Sequence, residues 1–312
     1  MMSNQKPFSL KLILPVGTQV VTRVEVIASG ELVHPSGVVG VIVQAPVDYS
    51  HSYRVQLPDG SVVSLRREEL TTRKQWQQES LQPALGLGDD LSLYDYVIYR
   101  CVVGSKAYGL DHAGSDTDRR GIYLPPAKLH WSLRGIPEQL DNQQTEECYW
   151  EIQKFLTLAL KANPTVLECL YTPLVETATS LAEELLSMRE CFLSQLVYQT
   201  YNGYVMSQFK KLEQDLRTKG VIKQKHAMHL VRLLLSGITV LKEGFVPVRI
   251  DEKHHQQLLA IRRGEMPWEE VNAWRLSLHQ EFERVFTTTS LPERPNYEQV
   301  NAFLLKARRS MV

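Results

Sequence analysis

What this 312-residue chain lacks narrows its function before any motif is considered. It has four cysteines, Cys101, Cys148, Cys169 and Cys191, tens of residues apart and with no Cys-x-x-Cys pair. That excludes a zinc knuckle and a disulfide framework and fits a reducing cytoplasm best. There is no excess charge of either sign, since 35 Lys and Arg balance 35 Asp and Glu. No global field draws the chain to nucleic acid or to an anionic membrane, so any anion site must be local. The apolar run at residues 10–16 is interrupted by Lys11 and is too short for a membrane span or a signal peptide. Internal repeats and low-complexity tracts are missing. So are the Gly-x-x-x-x-Gly-Lys-Ser/Thr phosphate loop, the Gly-x-Gly-x-x-Gly dinucleotide fingerprint and the Gly-x-Ser-x-Gly elbow. What remains is an ordinary globular composition, 43% hydrophobic and 22% charged, in a chain long enough for two domains.

The pattern along the chain divides it. Over residues 1–72 short β-branched runs are broken by turns: 20–26, 37–43, 53–57 and 61–65, the last two joined by Pro58-Asp59-Gly60. Asp-Gly tolerates the positive φ of a hairpin turn. This stretch resembles the small SH3-like β-barrels found beside nucleic-acid enzymes, which implies a docking or dimerisation module, with an RNA-contacting role as the alternative. Residues 73–92 lose the period of two and predict a linker. From 93 to 175 the chain reads as a catalytic core opening on the strand Val97-Ile98-Tyr99-Arg100-Cys101-Val102-Val103. From 176 to 312 it reads as a helical region, with helices expected over 181–219, 223–243, 253–263, 267–286 and 297–308. The predicted class is therefore α+β, with a helical C-terminal region.

Chemistry concentrates after that strand, in Gly104-Ser105-Lys106-Ala107-Tyr108-Gly109 and then Ser115-Asp116-Thr117-Asp118-Arg119-Arg120-Gly121. Gly104 has no Cβ, so its backbone can approach a phosphate, and Ser105 offers a hydroxyl and an N–H at the start of a short helix. Asp116 and Asp118, two apart at the head of an expected strand, would project from one face and together hold divalent metal. Two Mg²⁺ ions there could activate an attacking oxygen and stabilise leaving pyrophosphate. A third carboxylate is expected from Glu147 or Glu151, with Glu151, at a strand-to-helix junction, preferred. Lys106 is a candidate phosphate contact, or simply an exposed lysine. Arg120 would fix a phosphate or pair with an aspartate, and Tyr108 would pack or stack on a base.

Gly-Ser-x-Ala-Tyr-Gly followed by Ser-Asp-x-Asp-x-Arg-Gly resembles the DNA polymerase beta superfamily of nucleotidyltransferases, and within it the RNA repair pathway polymerase-beta family. The likeness runs over roughly residues 95 to 245, through Tyr123-Leu124-Pro125-Pro126, Glu151 to Leu156, Lys161 to Glu168 and His229 to Leu234. It implies a small mixed sheet flanked by helices, Mg²⁺ dependence with Mn²⁺ as the other ion, and transfer of a nucleotidyl group from a nucleoside triphosphate. Where the superfamily places an aspartate as its third metal ligand, this chain offers only glutamates in the matching stretch before the helix.

In the helical half, Lys225, His229 and Arg232 fall at i, i+4 and i+7, a stripe that could clamp a triphosphate or an RNA backbone or could be a solvated basic face. His226 and His229, three apart, lack an acidic partner on their helix face, which argues against zinc. The expected activity is Mg²⁺-dependent nucleotidyl transfer from an NTP such as ATP to an RNA end, with no membrane partner. The rivals are a catalytically silent nucleotide- or RNA-binding module and a nucleotidyltransferase acting on protein.

Overall fold

The structure is a computed structural model that describes residues 13–27, 33–48, 50–81, 92–133, 135–142 and 144–312. The chain forms two compact units, Met1–Asp90 and Leu91–Val312. The first twelve residues, with the start of the 10–16 run, and residues 82–91 of the expected linker lie outside the described residues. Among those described, no helix is long and apolar enough to cross a membrane.

In the first unit, alternation of apolar and polar residues makes a half-buried antiparallel sheet. Its strands are β1 (Gln19–Thr22), β4 (Val39–Gln44), β5 (Tyr53–Gln56), β6 (Val62–Leu65) and β7 (Leu70–Thr72), beside a two-stranded pair of β2 (Val26–Ile27) and β3 (Val33–His34). The inward residues Val20, Ile42, Tyr53, Val55, Val63, Leu65 and Leu70 form its core. The Asp59-Gly60 hairpin turns as expected: Gly60 has φ +86°, and Asp59 Oδ1 accepts from Ser61 N at 3.0 Å.

The expected SH3-like barrel is not confirmed. The strand order β6-β5-β4-β1-β7 leaves β6 and β7 as edges, so no closed barrel is found among the described residues. A 3-10 turn at Arg67–Glu69, closed by Arg66 N donating to Glu69 Oε2 at 2.7 Å, swings the chain away from β6 and delivers β7 to β1. The expected linker also begins with order, because α1 (Arg73–Leu81) is helical and packs on β1 and β7.

The second unit holds a five-stranded sheet of order β10-β11-β9-β8-β12. Its strands are β8 (Val97–Val103), β9 (Asp118–Tyr123), β10 (Gln139–Asn142), β11 (Glu147–Glu151) and β12 (Val175–Ala178). The β9–β11 pair is parallel and the others are antiparallel, so the sheet is mixed, as expected. Gly121 on β9 has a strict reason: a Cβ there would stand 1.9 Å from the Tyr99 carbonyl oxygen, where the β8 register shifts.

One sheet face, with Tyr99, Cys101, Val103, Ile122, Cys148 and Trp150, continues without a break into the helical core. The helices are α2 (Gly104–Tyr108), α3 (Ala127–His130), α4 (Ile152–Leu160), α5 (Pro164–Tyr171), α6 (Ser180–Ser187), α7 (Leu196–Lys219), α8 (Gln224–Glu243), α9 (Glu252–Arg263), α10 (Trp268–Phe286) and α11 (Tyr297–Arg309). The helix expected over 181–219 is two, α6 and α7, separated by a 3-10 turn at Arg189–Phe192 and by Gln195 N donating to Pro292 O at 2.8 Å. The 175/176 boundary between core and helical region is not a structural one. It falls inside β12, which pairs with β8, and the apolar core is shared across it.

Candidate active site

The two motifs meet where β8 ends. Val103 pairs with Asp118, the first residue of β9, so the next residue, Gly104, opens α2 beside the Asp118 carboxylate. Gly104 has φ +72°, and a Cβ built on it would lie 2.5 Å from Asp118 Oδ2. Glycine is required here twice, for its left-handed backbone and for the space the carboxylate occupies. Ser105 follows at the helix start, half-buried.

Asp116 precedes the strand instead of lying on it, which corrects the expected period-2 pairing. It is exposed, in a loop tightened by Ser115 N donating to His112 O at 2.8 Å and by His112 N donating to Ser115 Oγ at 2.9 Å. Lys106 is tied by its Nζ to Thr117 Oγ1, between the two aspartates. Arg120 is fixed by the carbonyls of Arg119 and Glu146 at 2.8 and 2.9 Å and reaches Asp118 Oδ1 at 3.5 Å. Of its two expected roles, the geometry realises the pairing with an aspartate.

The third carboxylate is not where it was expected. In the β9–β11 register Glu147 is level with Arg119 and Glu151 with Tyr123, so both project from the sheet face opposite Asp118. Glu151 is also five residues along from the level of Asp118, about 16 Å at 3.3 Å per residue. It is buried, accepts the N-capping bond from Gln153 N at 2.9 Å, and stands 2.7 Å from Arg308, at angles outside hydrogen-bond geometry. Tied up as a helix cap and in an ion pair, Glu151 stands apart from Asp118. Among the described residues no three His, Cys, Asp or Glu side chains converge as a metal cluster.

The sequence reading missed Asp141. It pairs with Cys148, which pairs with Arg120, so it shares the face of Asp118, though two strand spacings from β9, about 10 Å. Burial, with Asp141 beside it, pushes the Cys148 thiol up to about 12. The only sequence signal was an Asp-Asn pair that reads as a turn.

The expected clamp on α8 divides. Lys225 is exposed in the first turn. His229 is half-buried and edge-on to the Tyr108 ring, centroids 6.4 Å apart. Burial, and then the nearby cations Arg232 and Lys225, hold it down at about 3, so it is neutral at pH 7 and not a cation. Arg232 is a correction: 4% exposed, it pairs with Glu168 Oε1 at 2.5 Å and lies 3.8 Å over the Tyr108 ring, while Tyr108 donates to Glu168 Oε2 at 2.7 Å. Burial pushes the guanidinium down, but Glu168 beside it, with Tyr108, outweighs that and raises Arg232 above its ordinary value. This face of α8 packs on α2, so Arg232 cannot reach a phosphate, and Tyr108 packs instead of stacking on a base. A glutamate inside the apolar run Val166-Leu167-Glu168-Cys169-Leu170 was the signal for this pair.

The family description that matches is the RNA repair pathway DNA polymerase beta family, over residues 68–306. The chain belongs to that family. Membership points to a polymerase-beta-like nucleotidyltransferase in RNA repair, and the family's span contains Gly104, Asp116, Asp118 and the α8 face. The chain is also 28% identical over 156 residues to a Bacillus subtilis protein, "Uncharacterized protein YcgL"; the alignment takes in 48% of this chain and 58% of that protein's length.

Proposed function

We propose that the protein is a divalent metal-dependent nucleotidyltransferase that moves a nucleoside monophosphate from an NTP to an RNA end. The observation that carries this reading is the meeting of the two motifs: the Asp118 carboxylate lies against the Gly104 backbone at the mouth of α2. In this reading the backbone N–H groups at Gly104 and Ser105 and the Ser105 hydroxyl receive the β and γ phosphates, with Lys106 and Lys225 as further phosphate contacts. His229, neutral, offers an N–H. Arg120 holds Asp118 in place. Asp116 and Asp118 suit Mg²⁺, which binds through one or two carboxylates and completes its shell with substrate phosphate and water, so no third protein ligand is needed for a metal that arrives with the triphosphate. The metal would neutralise phosphate charge and activate the attacking hydroxyl. The acceptor hydroxyl gives up its proton to solvent as its oxygen bonds to the α-phosphorus, the α–β bridging bond breaks, and pyrophosphate leaves.

One observation favours a second reading, a silent nucleotide- or RNA-binding module: no third acid joins Asp116 and Asp118 among the described residues. Transfer of α-labelled NTP, each base in turn with Mg²⁺ or Mn²⁺, to total RNA and to lysate protein separates the two. Label on RNA that vanishes in Asp116→Ala/Asp118→Ala is the expected outcome. Label on protein would move the acceptor class. No label from an enzyme that still binds nucleotide would overturn the transferase reading in favour of the silent module.

A further inference from the structure

A chain with no net charge carries six Lys and Arg against two acids between residues 210 and 225, the end of α7, the Gly220 turn and the start of α8. Lys210, Lys211, Arg217, Lys223 and Lys225 are all exposed. Among the described residues none of the five forms an ion pair. Elsewhere in this unit several cations are matched: Arg119 with Glu176, Lys154 with Glu138, Lys242 with Glu281 and Lys306 with Glu184. Of the two acids of the segment, Glu213 is exposed and Asp215 is buried. Asp215 faces His226 at 3.8 Å; Glu213 acts on Arg275 of α10.

The positive charges converge on one region of the hairpin. His226 is held below its ordinary value by burial and then by Lys223, Lys211 and Lys225, residues from both helices. Lys210 and Arg217, seven apart, share a stripe about 10 Å long, with Lys223 and Lys225 across the turn. Leu216 and Val221 are exposed there, an apolar surface beside the cations. The stripe leads inward: Lys225 is one helical turn from His229, which touches Tyr108 at the end of the helix that Gly104 begins.

We infer that the α7–α8 hairpin is the docking surface for the sugar-phosphate backbone of single-stranded RNA, engaged a few nucleotides from the reacting end. The inference rests on the proposed acceptor class, and it deepens that reading by naming where the acceptor lies. Unpaired, exposed cations in a line suit a polyanion with regularly spaced charges, the family description points to RNA, and exposed apolar side chains suit unpaired bases.

The test is binding of a fluorescein-labelled 12-nucleotide single-stranded RNA to the full chain by anisotropy, from 50 to 200 mM salt. The variant is Lys210→Gln/Lys211→Gln/Arg217→Gln/Lys223→Gln, which leaves Lys225 in place. We expect the wild type to bind with a steep salt dependence and the variant to lose tenfold or more in affinity. The slope of log K against log salt should flatten by about 0.7 for each contact removed. Melting temperature and nucleotide binding should be unchanged. Asp118→Ala should keep the RNA affinity, so failure of transfer and failure of docking are read separately. A variant that binds RNA with wild-type affinity and slope, a wild type that does not bind, or displacement of the RNA by an equal charge concentration of polyglutamate would each overturn the inference.

Discussion

A carboxylate at the head of a strand is useful to a phosphate-handling enzyme only if the space before it is kept open, and at Asp118 that space is bounded by Gly104. Gly104→Ala would place a methyl 2.5 Å from Asp118 Oδ2 at a backbone φ of +72°. We expect a stability loss of about 1–3 kcal/mol with collapse of nucleotidyl transfer, read by denaturant melts alongside the label assay. Arg232 behaves differently, because its partner is buried with it. Arg232→Met strands Glu168 without its counter-charge and should destabilise by about 3–5 kcal/mol, whereas Arg232→Met/Glu168→Gln should recover much of that loss; a double variant no better than the single would refute the pairing as the cause. His229 contributes a pH dependence whose sign follows from its lowered value. The unfolded chain takes up a proton near the ordinary histidine range and the folded chain only near 3. Stability should therefore fall as pH drops from about 6.5 towards 3 and be flat in this contribution above it. In His229→Gln the slope of unfolding free energy against pH should be shallower across that window.

At the scale of elements, α2 is five residues long and is held from outside. Its C-terminal carbonyls are met by Ile250 N at 3.1 Å on Tyr108 O, by His255 Nε2 donating to Gly109 O at 2.7 Å and by Arg262 on Leu110 O. The helical region thus sets the orientation of the helix that Gly104 opens. On the other side of the sheet, Glu151 joins the start of α4 to Arg308 of α11. Glu151→Gln keeps a carbonyl oxygen for the Gln153 cap but removes the counter-charge to Arg308. It should cost about 1–3 kcal/mol by denaturant melts while label transfer survives; loss of transfer at unchanged stability would return Glu151 to the metal site.

Over the whole molecule, the two units have separate hydrophobic cores, one around Tyr53 and Ile42 and one running from β8 to α11. A fragment comprising residues 91–312 should fold by itself with a single cooperative melt by circular dichroism; a fragment that melts without a transition would show that its core depends on the first unit. The electrostatics has the same modular character. Zero net charge hides a strongly positive α7–α8 hairpin, so salt should affect RNA binding far more than folding.

Much of this was legible from residue order alone. Local chemistry wrote the Asp59-Gly60 hairpin, the strand into Gly104, the α8 to α11 helices within a residue or two, and the two motifs that mark the family, because turn residues, period and glycine act over a few neighbours. Which side chains share a space depends on register, and register is set by packing far along the chain. Glu151 looked available until the parallel β9–β11 pairing turned it to the opposite face, and Arg232 looked like a phosphate contact until α8 buried it against Glu168 and Tyr108. Asp118 and Gly104, fourteen residues apart, were recognisable as motifs by their order; only the antiparallel turn of β9 back along β8 put the carboxylate against the glycine.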